Sequence, residues 1–351
     1  MSYHIMMNLV DLAERGRIPD VLVRMGIKRL LLKRLKQDAA QASEPGKSGF
    51  VEKMRCSPLA LGTADANHQH YEVPTEVFAR MLGPHLKYSC AYYPSSETTL
   101  AEAEAAMLAL SCERGQLVDG QSILELGCGW GSLTLFMAET FPNSHITAVS
   151  NSHSQREYIE LQSLARGLKN IKVITADMNV FETSDRFDRV VSIEMFEHMR
   201  NYEQLFERIS SWLKTDGLLF FHIFCHHNLP YFFEDQSKDD WMARHFFTGG
   251  LMPSFDLPKR FEGALRQRSS WKVNGQHYAK TCADWLANLD QQRRPILSAL
   301  AGSDNPESEF ILWQRWRMFV MACQELFAHQ GGNTWFVGHY LFEQNGLGSL
   351  D

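Results

Sequence analysis

The stretch Ser122-Ile-Leu-Glu-Leu-Gly-Cys-Gly-Trp-Gly-Ser132 constrains the fold of this chain more than any other. Ile123-Leu-Glu-Leu126 fits a buried strand, and Leu133-Thr-Leu-Phe-Met-Ala138 resumes with helical spacing. Gly127, Gly129 and Gly131 alternate between them, so the chain turns tightly out of a strand into a helix. Such a turn presents backbone N–H groups to an anionic group. The spacing is Gly-x-Gly-x-Gly and not the dinucleotide pattern Gly-x-Gly-x-x-Gly. The next apolar run, residues 145–149, ends in Ser150-Asn151 with no acid to hold a ribose. A ligand loop is therefore expected, and a dinucleotide site is not.

From residue 120 onward, strand-like runs at 123–126, 145–149, 172–176, 189–193 and 218–224 alternate with helical ones. This alternation predicts an α/β fold with a doubly wound, mostly parallel sheet. Ligands of such sheets sit beyond the carboxyl ends of the strands. That rule draws residues 127–131, 150–155, 177–178 and 194–198 to one crevice. Residues 225–268 are rich in aromatics and too long for a simple connection, which predicts a lid insertion. Late strands are expected at 271–275 and 334–343, and Trp313, Trp316 and Phe319 fit a core helix face. Near the start, Ile27-Lys-Arg-Leu-Leu-Leu-Lys-Arg-Leu-Lys36 reads as a basic amphipathic helix, docked by its leucines in preference to lying on a membrane surface. Residues 38–49 are the expected linker, separating an N-terminal helical extension (1–48) from the main domain (49–351).

The formal charge of −6 spread over 351 residues argues against a nucleic-acid footprint, and 44% apolar content allows a large core. Seven scattered cysteines without a Cys-x-x-Cys pair indicate neither a disulfide framework nor a zinc site. With no signal-like segment, a reducing, cytoplasmic setting is expected. His68-x-His70 and His226-His227 lack partners at ligand spacing, so no metal is expected.

The loop Glu125-Leu-Gly-Cys-Gly-Trp-Gly131 resembles motif I of the class I (Rossmann-like) S-adenosylmethionine-dependent methyltransferases. Tyr88-Ser-Cys-Ala-Tyr-Tyr93, residues 150–155 and Phe196-Glu-His198 narrow the resemblance to the cyclopropane-fatty-acid synthase superfamily. Residues 192–202, His245-Phe-Phe-Thr-Gly-Gly250, Val273-Asn-Gly-Gln-His-Tyr-Ala279 and Trp335-Phe-Val-Gly-His339 resemble its coclaurine N-methyltransferase family. This likeness implies S-adenosylmethionine as cofactor. Tyr88, Ser89, Gly127 and Gly129 would hold its methionine end, Ser150, Asn151 and Gln155 its ribose, and Asp177 and Met178 would border its adenine, with Ile193 also in contact.

The same resemblance places the acceptor chemistry at Glu194, Glu197 and His198. If the chain turned helical there, Glu194 and His198 would stand on one face with Glu197 beside them. Two carboxylates and an imidazole suit an acceptor that must shed a proton. The implied reaction is N-methylation of a small, aromatic or tetrahydroisoquinoline-like amine by a monomer or homodimer. Glu72 would lie near the acceptor nitrogen, and Tyr71, His222 and Tyr278 would bind the substrate with it. The alternative is a lipid cyclopropane synthase, whose bicarbonate site matches Cys90, Glu197, His222 and Tyr278 here. Glu194 stands where those enzymes carry a small residue, and an unpaired carboxylate facing an acyl chain would be costly to desolvate.

Overall fold

The computed structural model describes residues 9–37, 39–61, 73–235, 240–303 and 305–345, without the side chains of residues 37 and 41. Tyr71, Glu72, His68 and His70 lie outside the described residues.

The chain opens with α1 (Leu9–Glu14), α2 (Asp20–Gln37), α3 (Glu44–Arg55), α4 (Thr75–Met81) and α5 (Leu100–Arg114). Then β1 (Ser122–Leu126), α6 (Ser132–Thr140), β2 (His145–Ser150), α7 (His153–Ala165), β3 (Ile171–Thr175), β4 (Phe187–Ile193), α8 (Tyr202–Trp212) and β5 (Leu213–His226) alternate. A two-stranded ribbon, β6 (Tyr231–Phe232) with β7 (Leu251–Met252), flanks α9 (Trp241–His245). The chain closes with β8 (Leu265–Val273), α10 (Gly275–Gln291), α11 (Arg293–Ala301), α12 (Glu309–Ala328) and β9 (Trp335–Gln344).

The main sheet runs β3-β2-β1-β4-β5-β9-β8. Its first five strands are parallel, and β9 lies antiparallel between β5 and β8. This is the expected doubly wound, mostly parallel sheet. The strand order reverses between β1 and β4, which opens a crevice at their carboxyl ends. Consecutive residues serve opposite apolar layers. Val190, Phe221 and Phe342 join a cluster with α3 and α8, while Val191, Phe220 and Leu341 join one with α5 and α6. Apolar runs without polar alternation therefore mark strands covered on both faces.

Three expectations shift. Residues 44–49 belong to α3 and not to a linker, because the Ser43 side chain accepts from Gly46 N–H and Pro45 suits the first turn. The strand expected at 271–275 ends at Val273, because the Asn274 side chain accepts from Gln276 N–H and opens α10. The basic helix extends from Asp20 and docks on α12. Val23 is buried and Ile27, Leu31 and Leu35 pack on the same cluster, while Arg24 meets Glu325 at 2.6 Å and Asp20 meets Arg317 at 2.6 Å. No helix among the described residues is long and apolar enough to cross a membrane.

Candidate active site

The glycine loop is built by backbone angles that side chains resist. Gly127, Gly129 and Gly131 have φ of 75°, 52° and 77°. Gly127 and Cys128 N–H both donate to Val149 O, which ties the loop to the end of β2. A Cβ on Gly127 would meet Met195 at 2.7 Å and one on Gly131 would meet Ile159 at 2.5 Å, whereas one on Gly129 would enter open space. That space is a cavity of about 1270 Å³ including its mouth, with Tyr88, Ser89, Gly127, Gly129 and Ile193 in its wall. A neighbouring cavity of about 600 Å³ is lined by Ser150, Asn151 and Met178. The two share Gly127, Gly129, Gln155 and His198.

The lining fits a nucleoside attached to an amino acid. Ser150 hydroxyl donates to Gln155 Oε1 at 2.6 Å, leaving the buried Gln155 Nε2 without a protein partner beside both cavities. A ribose hydroxyl is a matching acceptor. Glu125, under the glycine loop, accepts from Thr134 and lies in the larger cavity's wall, where burial pushes its carboxyl up to about 8. A ligand ammonium at that end would favour its ionised form. Asp177 does not line either cavity. Its carboxylate accepts from Asn179 N–H at 2.7 Å and so shapes the turn that carries Met178.

Glu194 lines the larger cavity just past the end of β4. It follows β4 with φ 47°, a conformation that bulky residues rarely adopt, and its N–H donates to His222 O at 2.8 Å. Cys90 N–H donates to Oε1 at 3.1 Å, His222 Nε2 lies 3.1 Å from the same oxygen, and Tyr278 hydroxyl donates to Oε2 at 2.7 Å. Burial raises the Glu194 carboxyl to about 7 against the pull of Lys87, Tyr278 hydroxyl and Cys90 N–H. A carboxyl held in this way can bind a cation or exchange a proton near neutrality.

The helical face expected across 194–198 is replaced by this turn and a short 3-10 segment, Phe196–His198. Glu194 and His198 still reach one cavity, whose wall also includes Tyr278. His198 stacks on Phe247 with ring centroids 5.4 Å apart and planes 7° apart. Glu197 does not line that cavity. It is fully buried outside the cavity wall, its Oε1 accepts from Phe224 N–H at 2.8 Å, and burial with the nearby Glu194 charge pushes its pKa well up. His222 is also fully buried and absent from the wall, touching the site through Glu194.

Lys87 is missing from the sequence reading. It is buried beside Tyr88-Ser89, donates to Ser89 Oγ and to Cys90 O at 2.8 Å, and lines the larger cavity. Burial lowers its pKa while Glu194 opposes that shift. A lysine ahead of Tyr-Ser carries no local signal, because a solvated lysine would look the same in sequence. The insertion between β5 and β8 supplies Phe233, Met242, Phe247 and Met252 to an apolar wall completed by Phe319 and Phe327 of α12. Among the described residues, no cluster of three His, Cys, Asp or Glu is arranged to hold a metal ion.

This architecture has known counterparts. Residues 62–336 match the model of the mycolic acid cyclopropane synthetase family. The (S)-coclaurine N-methyltransferase of Thalictrum flavum subsp. glaucum is 36% identical over 348 residues, covering 97% of this chain and 96% of that protein. A crystal structure of coclaurine N-methyltransferase bound to N-methylheliamine and SAH, the demethylated cofactor, superposes with a TM-score of 0.90 at 36% identity, covering 96% of this chain and 99% of that one. A mycolic acid cyclopropane synthase complexed with SAH and CTAB shares the fold at a TM-score of 0.69 and 22% identity, covering 82% of this chain and all of that one (100%).

Proposed function

Because the chain belongs to the mycolic acid cyclopropane synthetase family and, within it, to the S-adenosylmethionine-dependent coclaurine N-methyltransferases, we propose that it methylates the nitrogen of a small aromatic or tetrahydroisoquinoline-like amine. One observation carries this reading over lipid cyclopropanation. Cys90, His222 and Tyr278, three of the four residues matching the lipid enzymes' bicarbonate site, are engaged by the protein's own Glu194 carboxylate. A tethered carboxylate in that position supports a reaction that needs no free bicarbonate.

Bound S-adenosylmethionine supplies a methyl group made electrophilic by its sulfonium. Tyr88, Ser89, Lys87 and the glycine loop would hold its amino-acid end, and Ser150, Asn151, Gln155 and Met178 its nucleoside. The chain's remaining task is to orient the amine and free its lone pair. A secondary amine near neutrality is mostly ammonium and cannot attack carbon. Ionised Glu194 attracts that ammonium and accepts its proton, while Cys90 N–H, His222 and Tyr278 keep the oxygens in place. His198, at the junction of the two cavities, relays the proton outward. Phe233, Phe247 and Phe327 give the ring system apolar walls and the ammonium aromatic faces.

Incubating the protein with labelled cofactor and a panel of primary, secondary and tertiary amines, beside an unsaturated phospholipid, tests the assignment. Label in an amine is expected. Label in the acyl chains alone would overturn it.

A further inference from the structure

A row of aromatic side chains crosses the sheet behind Glu194. Strand register pairs Ile193 of β4 with His222, His222 with His339, and His339 with Trp271, so β5, β9 and β8 each contribute one aromatic member. His222 Nε2 lies 3.1 Å from Glu194 Oε1, and His222 Nδ1 lies 3.1 Å from His339 Nε2. His339 Nδ1 lies 3.0 Å from Nη1 of Arg114, at the last turn of α5. The Arg114 guanidinium also sits over the Trp271 ring, 5.2 Å from its centroid. Both imidazoles are fully buried, and Arg114 is half-buried at the far end.

The chemistry of the donors gives this chain a direction. A guanidinium only donates, so His339 Nδ1 accepts and its proton sits on Nε2. That proton is donated to His222 Nδ1, which leaves the His222 proton on Nε2, aimed at Glu194. Burial keeps both rings neutral, with pKa values well below the usual histidine range. Reversing the end group would reverse every bond. His222 would then present a lone pair, which only a protonated Glu194 satisfies.

We propose that Arg114 and His339 are positioning residues of the amine-methylating site: they lock His222 as an Nε2–H donor and so hold Glu194 as the ionised acceptor. The inference rests on the methyltransferase reading only for its kinetic readout. Other charged or titratable groups near Glu194 are Lys87, Cys90, Tyr278, Cys282, His198 and Glu197, and none of them sets the direction of the histidine chain.

The test compares Arg114→Met, which removes the donor and keeps an apolar stem over Trp271, with Arg114→Lys, another obligate donor. In the first arm, long-range proton–nitrogen NMR on histidine-labelled protein without cofactor or amine reads the tautomers directly. Both rings are expected as Nε2–H in the parent and Lys variants and shifted toward Nδ1–H in the Met variant. In the second arm, the acid limb of the methylation rate is expected to move up by about one pH unit or more in the Met variant, a loss of about fivefold or more at pH 7 that approaches about tenfold at pH 6, and to return in the Lys variant. Unchanged tautomers, an unmoved limb, or an equal loss at every pH overturns the proposal. Arg114→Ala repeats the test if the Met variant does not fold. The NMR arm decides the tautomer lock even if no amine is turned over, which keeps its failure separate from that of the functional reading.

Discussion

Replacing Glu194 by Gln removes one charge at nearly constant volume, and the site indicates where the effect falls. The amide oxygen can still accept from Cys90 N–H and the His222 ring, while the amide nitrogen can donate to Tyr278 hydroxyl, which turns to accept. The fold is therefore retained and the loss is local. A hydrogen bond between a carboxylate and a charged partner contributes about 1.5–3 kcal/mol, so amine affinity should fall by about 10- to 150-fold. The pH dependence should change as well. Burial favours the neutral carboxyl, so Glu194 binds its proton up to about pH 7 and works as a base only above it. The parent rate should rise as pH increases through about 7, and an amide has no such titration. Initial rates against amine concentration, from about pH 6 to pH 9, separate the two effects. An unchanged KM together with a surviving limb near 7 would refute the reasoning, because Glu194 would then be neither the ammonium site nor the base.

His198→Ala should lower kcat by ~10²-fold or more with amine affinity largely kept, and the loss should shrink as rising pH supplies free amine; an equal fractional loss at every pH excludes proton transfer. Gly129→Val should abolish cofactor binding by calorimetry in a folded protein, because φ is 52° there and the added side chain enters the cavity; unchanged affinity would remove the glycine loop from the cofactor site. Stripping bicarbonate from the buffer should leave the rate unchanged, since Glu194 already engages Cys90 N–H, His222 and Tyr278, and a strict bicarbonate requirement would favour the lipid reaction. Cys90→Ala should alter cofactor affinity more than turnover, because the backbone N–H and not the thiol holds Glu194, and a collapse of kcat at saturating cofactor would contradict that.

What the amino-acid order alone determined is what short-range chemistry decides. Residues 122–138 specify a strand, a left-handed turn and a helix through covalent neighbours, so the glycine loop was readable without any partner. Parallel strands then carry Ser150, Met178 and Glu194 to one end of the sheet by topology, which follows from alternating periodicity. Tertiary structure decided how those residues act. Glu194 is shaped by Cys90, His222 and Tyr278, residues 104, 28 and 84 positions away, and its left-handed backbone replaces the helical face expected from its spacing to His198. Lys87 lines the cavity only through tertiary burial, and Glu197 does not line it. Arg114 and His339 are 225 positions apart and meet because β9 inserts antiparallel between β5 and β8. A strand's own residues encode its period of two, but not which strand lies beside it or in which register. The contacts that link Glu194 to His222, His339 and Arg114 are set at that level.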